Sequence, residues 1–313
     1  MRILFLCDLH GSEILLNKAI LATSSYDIDL LILSGDIAGK DIRPIIKNKD
    51  KYILEYEGEK QTFTQKEVEN IKVKLCGLGH YYFDISLDDY RILEKDKIFK
   101  ILDNKILERV DNWLNKVISL IDLQRTSVII TPGNDDILGI DELIKKAETN
   151  GLHYGLKGPI KIEDFEIVSL DYTNHTPWKT MREMSEEELE IAIKERIENV
   201  KDFDNTIFNF HCPPYNTKLD IAPEVDDNLR FVINPGRGFH YIHVGSISIL
   251  NSIRKYQPLL SLHGHIHESQ GFDYIGKTLS LNPGSEFNKG ILNAYIIEIS
   301  KGGIINNFSL IDE

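Results

Sequence analysis

The chain opens Met1-Arg2-Ile3-Leu4-Phe5-Leu6-Cys7-Asp8-Leu9-His10, a buried strand that ends on polar side chains. Residues 3–7 form an unbroken apolar run, of the length and kind found in strands buried on both faces. The run ends on two side chains of metal-ligand type, Asp8 and His10. Gly11-Ser12 then supplies a turn and an N-cap, and Ile14, Leu15, Lys18, Ala19 and Ala22 recur at the spacing of a helical face. A second strand over 29–34 ends at Gly35-Asp36, which closes a strand, helix, strand unit.

The same arrangement recurs along the chain. Apolar runs at 30–33, 128–131, 206–210 and 259–262 read as buried strands. They are followed by Asp36, by Pro132-Gly133-Asn134-Asp135-Asp136, by His211 and by Gly264-His265-Ile266-His267. Strand ends are where open α/β sheets place their ligand sites. Asp8, His10, Asp36, Asn134, His211, His265 and His267 therefore converge on one sheet edge, and three oxygens with four imidazoles are enough to hold two metal ions. An unpaired carboxylate behind a buried strand is costly, and a cation relieves that cost at Asp8 and Asp36. His265 and His267 alternate along an extended segment and so share a face; His263 is in phase with them and reads as a structural neighbour of the ligands. Each fragment alone is a weak signal, whereas the ordered set is a strong one.

The bulk of the chain narrows the partners. Of 313 residues, 49 are acidic and 36 basic, and a formal charge of −13 argues against a protein that grips nucleic acid through a broad basic surface. The 42% hydrophobic content supports a large core. No apolar segment reaches the roughly 18 residues of a membrane span, and the N-terminal run is too short for an export signal, so the sequence predicts a cytoplasmic protein. Cys7, Cys76 and Cys212 show no paired spacing, which argues against a disulfide framework or zinc ribbon; Cys212, beside Pro213-Pro214, reads as a buried filler.

Residues 40–125 break the pattern. A hairpin is predicted over 51–60 around Gly58. A long helix follows over 98–123, with Ile101, Leu102, Ile106, Leu107, Val110, Trp113, Leu114, Val117 and Ile121 at helical spacing. The region reads as an insertion of mixed hairpin and helix, either a lid or a dimer contact, within a single domain over 1–313. Beyond it, strands and helices alternate again: a helix over 141–150 closed by Gly151, strands over 166–171 and 278–281, and a helix opened by the capping box Ser185-Glu186-Glu187-Glu188. Its glutamates are a solvated helix start and not a metal site.

In this order the motifs Asp8-Leu9-His10, Gly35-Asp36, Gly133-Asn134-Asp135-Asp136, His211 and Gly264-His265-Ile266-His267 resemble the calcineurin-like metallophosphoesterase family. Pro132-Gly133-Asn134-Asp135-Asp136, His211-Cys212-Pro213-Pro214, Val244-Gly245-Ser246, His263-Gly264-His265-Ile266-His267-Glu268 and Asn282-Pro283-Gly284-Ser285 are similar to its bacterial and archaeal branch related to the cyclic-AMP phosphodiesterases. The resemblance spans 1–39 and about 126–300. It implies an α/β fold, a four-layer α-β-β-α sandwich with two mixed β-sheets flanked by helices. It implies Asp8, His10 and His267 on one metal ion, Asn134, His211 and His265 on the other, and Asp36 bridging both. The ions would be divalent transition metals, Mn, Fe, Zn, Co or Ni, with manganese first. The reaction implied is phosphate-ester hydrolysis, of a diester or a monoester and with nucleotide-derived esters among the candidates, by a hydroxide shared between the ions. Asp36, Asn134, Asp135 and His211 would be its catalytic positions. Asn282 would orient His267 or a nearby ligand.

One position departs from the pattern. Where the family has a histidine set to serve the leaving oxygen, this chain has Asp135, and a carboxylate beside two cations is held ionised and is a poor proton donor. Arg237, between Gly236 and Gly238, and His240 are the candidates for contacting substrate. His80, His153 and His175 read as structural. The rival class is a catalytically weak metallophosphoesterase-like scaffold that binds protein, with 40–125 as its surface; a homo-oligomer is compatible with either reading.

Overall fold

A computed structural model describes every residue of the chain except Glu57. Alternation inside the apolar strands builds two cores from the same residues. In strand Arg2–Cys7, Leu4 and Leu6 face one way, into a helical layer, while Ile3, Phe5 and Cys7 face the other, into a core between two sheets. A strand buried on both faces has no polar side to show, which is why its sequence is a continuous apolar run.

The first sheet has six strands in the order Ile304–Asp312, Asn293–Ser300, Arg2–Cys7, Leu30–Ser34, Ser127–Thr131, His153–Tyr154. The second has six in the order Gly271–Ile275, Thr278–Asn282, Leu260–Leu262, Thr206–Phe210, Phe165–Leu170, Ile160–Ile162. Both are mixed, with parallel central strands; both edges of the second sheet are antiparallel, whereas in the first Asn293–Ser300 and Ile304–Asp312 run antiparallel and the opposite edge, His153–Tyr154, is parallel. Ile3, Phe5, Leu30, Ile32 and Ile129 of one meet Phe165, Ile167, Ile207, Leu260 and Leu279 of the other. Helices Glu13–Ser25, Lys95–Leu120 and Gly139–Ala147 cover the outer face of the first sheet, and Glu186–Ile197 and Ile247–Tyr256 that of the second. This is the four-layer α-β-β-α sandwich that the resemblance implies.

The long helix starts three residues earlier than its apolar stripe predicts and ends at Leu120, with Ile121 buried at its C-cap. Trp113 lies in the helical core, as packing requires. The hairpin forms from Lys51–Tyr56 and Glu59–Phe63; Glu57, within the predicted span, lies outside the described residues. It is part of something larger, a four-stranded sheet in the order Glu59–Phe63, Lys51–Tyr56, Ile42–Asn48, Tyr81–Ser86, backed by helix Gln65–Gly77. Ile45, Tyr52, Leu54, Val68, Ile71 and Leu75 give it a small core of its own. The helix was legible in the capping box of Thr64 and Glu67 and in the i, i+3, i+7 spacing of Val68, Ile71 and Leu75.

Register places the site. Cys7, Ser34 and Thr131 stand abreast at the C-terminal ends of three parallel strands, and Asn209 pairs with Leu262 in the second sheet. The loops that follow all open on the same edge.

Candidate metal centre

The loops after the strands continue the ladder for one more step. The Asp8 N–H donates to the Gly35 carbonyl (3.1 Å), the Gly35 N–H to that of Thr131 (2.8 Å) and the His10 N–H to that of Asp36 (2.9 Å). At this turn four ligand candidates adopt left-handed backbone: Asp8 (φ 54°), His10 (43°), Asp36 (42°) and His265 (67°). Such conformations cost about 1–3 kcal/mol each outside glycine and cluster where a site over-determines the chain. Two glycines make the close approach workable. A Cβ at Gly133 would stand 2.3 Å from the Asp36 nitrogen and from Asp36 Oδ1, and one at Gly35 would stand 1.9 Å from His211 Nδ1.

The structure brings all seven sequence-predicted ligands together. Asp8, His10 and His267 form one group of converging donor atoms, and Asp36, His211 and His265 a second. Asn134 joins the second through Oδ1, 3.1 Å from His211 Nε2. Asp36 faces both groups: Oδ1 is 3.5 Å from His211 Nε2 and Oδ2 is 3.8 Å from His10 Nε2. Ligands held by one ion at about 2.0–2.2 Å stand roughly 3 Å apart. His10 Nε2 and His267 Nε2, at 3.1 Å, meet that spacing, as do His211 Nε2 and Asn134 Oδ1. The mixed carboxylate, amide and imidazole set suits a divalent transition metal, so the two Asp and His groups can hold metal ions.

Charge in the centre is finely divided. Burial works against a charged His211, yet the Asp36 and Asp8 carboxylates raise it to about 9. Burial would push Asp36 up, but His211, with His10 and His265, holds it far below the carboxylate range. Burial lowers His10 and His265 to about 4, leaving both rings neutral and ready to ligate at neutral pH. His267 is raised by Asp8 and Asp36 against its burial.

Several supporting residues carry no motif of their own. Thr180 Oγ1 donates to Glu183 Oε1 (2.7 Å) and accepts from Asn134 Nδ2 (2.8 Å), so the Asn134 amide nitrogen points away and its oxygen faces the centre. Buried Asp136 accepts the backbone N–H groups of Ile37 (2.9 Å), Ala38 (2.8 Å) and Gly133 (2.9 Å), clasping the Asp36 loop to the Asn134 loop. Burial and Asp36 push its carboxyl up to about 7, against the pull of those three donors. Arg182 is buried behind them, bound to Asp171 Oδ2 (2.7 Å), to Asp141 and to the Asp136 carbonyl (3.1 Å). The Ser285 hydroxyl donates to the Asp8 carbonyl (2.7 Å), and the Phe287 ring lies 4.5 Å from the His10 ring. Arg109, from the long helix, donates to the Gly11 carbonyl (2.9 Å) and to that of His80 (2.8 Å), which ties the 42–86 unit to the His10 loop.

Other predicted residues have different surroundings. Asn282 donates to the Ile266 carbonyl (3.0 Å) and accepts the Gly284 N–H (2.8 Å); it braces the backbone between His265 and His267 and, among the described residues, makes no hydrogen bond to an imidazole. His263 is wholly buried, with Nδ1 2.9 Å from the carbonyls of Phe210 and Cys212 and Nε2 2.8 Å from Ser261 Oγ. Cys212 is buried and all three cysteines are free. Arg237 and His240 lie on a hairpin excursion over 221–243. His240 Nδ1 pairs with Glu224 Oε2 (2.5 Å), Arg237 is exposed, and among the described residues neither side chain bonds to the seven. The base of the excursion does touch the centre's surroundings, since the Ile221 N–H donates to Ser269 Oγ (2.7 Å), two residues after His267. Asp135 has an unforeseen partner: its N–H donates to Asp36 Oδ1 (2.9 Å) and its carboxylate pairs with Lys40. Burial and Asp36 push that carboxyl up, with Lys40 opposing, so the expectation of a low value rests on bound ions alone. No described helix is long and apolar enough to cross a membrane.

Two mixed sheets flanked by helices, with Asp and His groups gathered where the central strands end, give the α-β-β-α architecture that the resemblance implies. No family model matches the chain. It is similar to the uncharacterized protein MJ1162 of Methanocaldococcus jannaschii, 34% identical over 158 residues, which is 50% of this chain and 63% of that relative's length. Among solved structures, one crystal structure superposes with a TM-score of 0.62 at 17% identity, covering 99% of this chain and 98% of the other. TT1561 of Thermus thermophilus superposes with a TM-score of 0.54 at 12% identity over the same shares. At these identities the likeness concerns the fold.

Proposed function

We propose that the chain is a metal-dependent hydrolase of phosphate esters with a binuclear centre. Asp8, His10 and His267 hold one divalent ion, Asn134, His211 and His265 the other, and Asp36 bridges them. The observation that carries this reading is the two-sided contact of Asp36, with Oδ1 toward His211 and Oδ2 toward His10. Bound there, two ions would supply Lewis acidity to the phosphoryl oxygens and a nucleophile at neutral pH. The protein's part is to keep His10 and His265 neutral, to turn the Asn134 oxygen inward through Thr180 and to hold the carboxylates behind buried strands. The substrate is a small phosphate ester, a diester or a monoester, with nucleotide-derived esters of both kinds as candidates and its distal part toward the excursion that bears Arg237 and His240. Manganese is the first ion to try, and a cytoplasmic setting fits the reading.

The test is a Mn²⁺-supplemented screen of p-nitrophenyl phosphate, bis-p-nitrophenyl phosphate, cyclic nucleotides and short oligonucleotides, with Asp36→Asn as control. The reading expects hydrolysis by the parent chain and its loss, by about 100-fold or more, in the variant. Hydrolysis that survives Asp36→Asn refutes the proposed mechanism, and two tightly bound ions with no hydrolysis of any ester favour the scaffold reading.

A further inference from the structure

Lys40 is held at the mouth of the centre by the way the chain leaves the Asp36 loop. The Ala38 N–H is tied to Asp136 (2.8 Å), and Gly39 is pressed so closely on the neighbouring loops that a Cβ there would stand 2.3 Å from the Gly79 carbonyl oxygen and 2.6 Å from that of His10. The side chain that follows is 63% exposed, and its ammonium rests on the Asp135 carboxylate, which is 11% exposed. Asp135 is itself fixed against the centre. Its N–H is bonded to Asp36, and its carboxylate lies in one group of donor atoms with Asp36 and His10, all within 4.8 Å of one another. Among the described residues, the ion pairs of Asp8 and Asp36 are all with histidines, so Lys40 is the permanent cation on this wall.

Two consequences follow from charge alone. An unpaired Asp135 carboxylate would repel an incoming phosphoryl group, and more strongly a dianionic monoester than a monoanionic diester. A lysine on a flexible, solvated stem cancels that charge and can turn its ammonium onto a phosphoryl oxygen as a point charge. We propose that Lys40, braced by Asp135, is a substrate-contacting residue that grips a phosphoryl oxygen at the centre and lets dianionic esters approach it. Asp135 acts through Lys40 and is a positioning residue. The proposal rests on the hydrolytic reading for its substrate but not for its anion.

The experiment measures binding of inorganic phosphate to the Mn²⁺-loaded full chain by calorimetry, for the parent, Lys40→Met and Lys40→Arg. It is run beside KM and kcat on p-nitrophenyl phosphate and bis-p-nitrophenyl phosphate and a count of bound manganese. Lys40→Met is expected to weaken phosphate binding by about 10-fold, to raise KM for the monoester by a similar factor and for the diester by under about 3-fold, and to leave two ions per chain; Lys40→Arg restores most of the loss. Phosphate affinity within about twofold of the parent in Lys40→Met overturns the proposal, as does a parent that binds no phosphate. A changed manganese count in Lys40→Met with phosphate binding untouched also overturns it, by making Asp135 a ligand. If the parent hydrolyses nothing yet its phosphate affinity depends on Lys40, the hydrolytic reading fails and Lys40 stands. Hydrolysis indifferent to Lys40 gives the reverse.

Discussion

Thr180→Val removes a hydroxyl and little volume, and it should weaken one of the two ion sites. The Thr180 hydroxyl proton is committed to Glu183 Oε1 at 2.7 Å, so the only role left for its oxygen toward Asn134 is that of acceptor, which it plays at 2.8 Å. That one-way arrangement fixes the Asn134 amide with Oδ1 3.1 Å from His211 Nε2. In the valine variant the amide either leaves Nδ2 unpaired, at about 1–3 kcal/mol, or flips and presents a nitrogen that carries no free lone pair to the ion. Loss of a ligand-orienting partner typically lowers metal affinity 10–100-fold, equivalent to about 1.4–2.8 kcal/mol. Titration calorimetry with Mn²⁺ should show one of two binding events weakened by that factor and the other little changed, with Thr180→Ser close to the parent. Unchanged affinity at both events in Thr180→Val would refute the reasoning, because Asn134 would then need no orientation or would not be a ligand.

Gly133→Ala should abolish stable ion binding, since its Cβ would lie 2.3 Å from Asp36 backbone and carboxylate atoms; denaturant unfolding should also show a loss of about 1–3 kcal/mol. Arg182→Met should cost about 3–5 kcal/mol of unfolding free energy, because Asp171 and Asp141 lose the cation that compensates them in a buried cluster; a loss under about 1 kcal/mol would contradict this. Metal binding should release protons at pH 7, because His211 is raised to about 9 in the metal-free chain and must be neutral to ligate. Apparent affinity then climbs with pH up to about 9, and calorimetric enthalpies differ between buffers of different ionisation enthalpy. The same shifts set the stability of the metal-free chain. The His211 contribution is present below its ordinary 6.5 and lost as pH rises through about 9, while His10 and His265, depressed to about 4, withdraw stability as pH falls from 6.5 toward 4. Thermal melts should therefore peak between these two flanks, and a flat profile from pH 5 to 9 would count against the charge assignment.

The sandwich was legible because both-faces-buried strands leave a continuous apolar signature, as in Leu30–Ser34 and Thr206–Phe210, and because the candidate ligands stand directly after those strands. In the 42–86 unit the hairpin and helix Gln65–Gly77 carry local signals, and strand Ile42–Asn48 does not. Strand Ile42–Asn48 contains Pro44 and mixes exposed with buried positions, so it shows neither a continuous run nor a clean alternation. The residues that aim the ligands were not legible at all. Thr180 lies 46 positions from Asn134 and Lys40 lies 95 from Asp135, and a threonine in a loop or a lysine after a glycine carries no local sign of its partner. Arg182 gives no sign of burial either, since its carboxylate partners Asp141 and Asp171 come from separate elements. In the sequence Arg237 and His240 are marked by residue type and loop position alone. Type and position do not specify direction, and His240 turns to Glu224.

Asp36 is proposed to join two ion sites into one centre, and electron paramagnetic resonance of the chain titrated with Mn²⁺ reads that junction itself. A shared carboxylate holds two ions about 3.5–4 Å apart, close enough for their spins to couple. An exchange-coupled signal should grow to two equivalents in the parent and be lost in Asp36→Asn. Saturation at one equivalent, or two uncoupled ions in the parent, would contradict it.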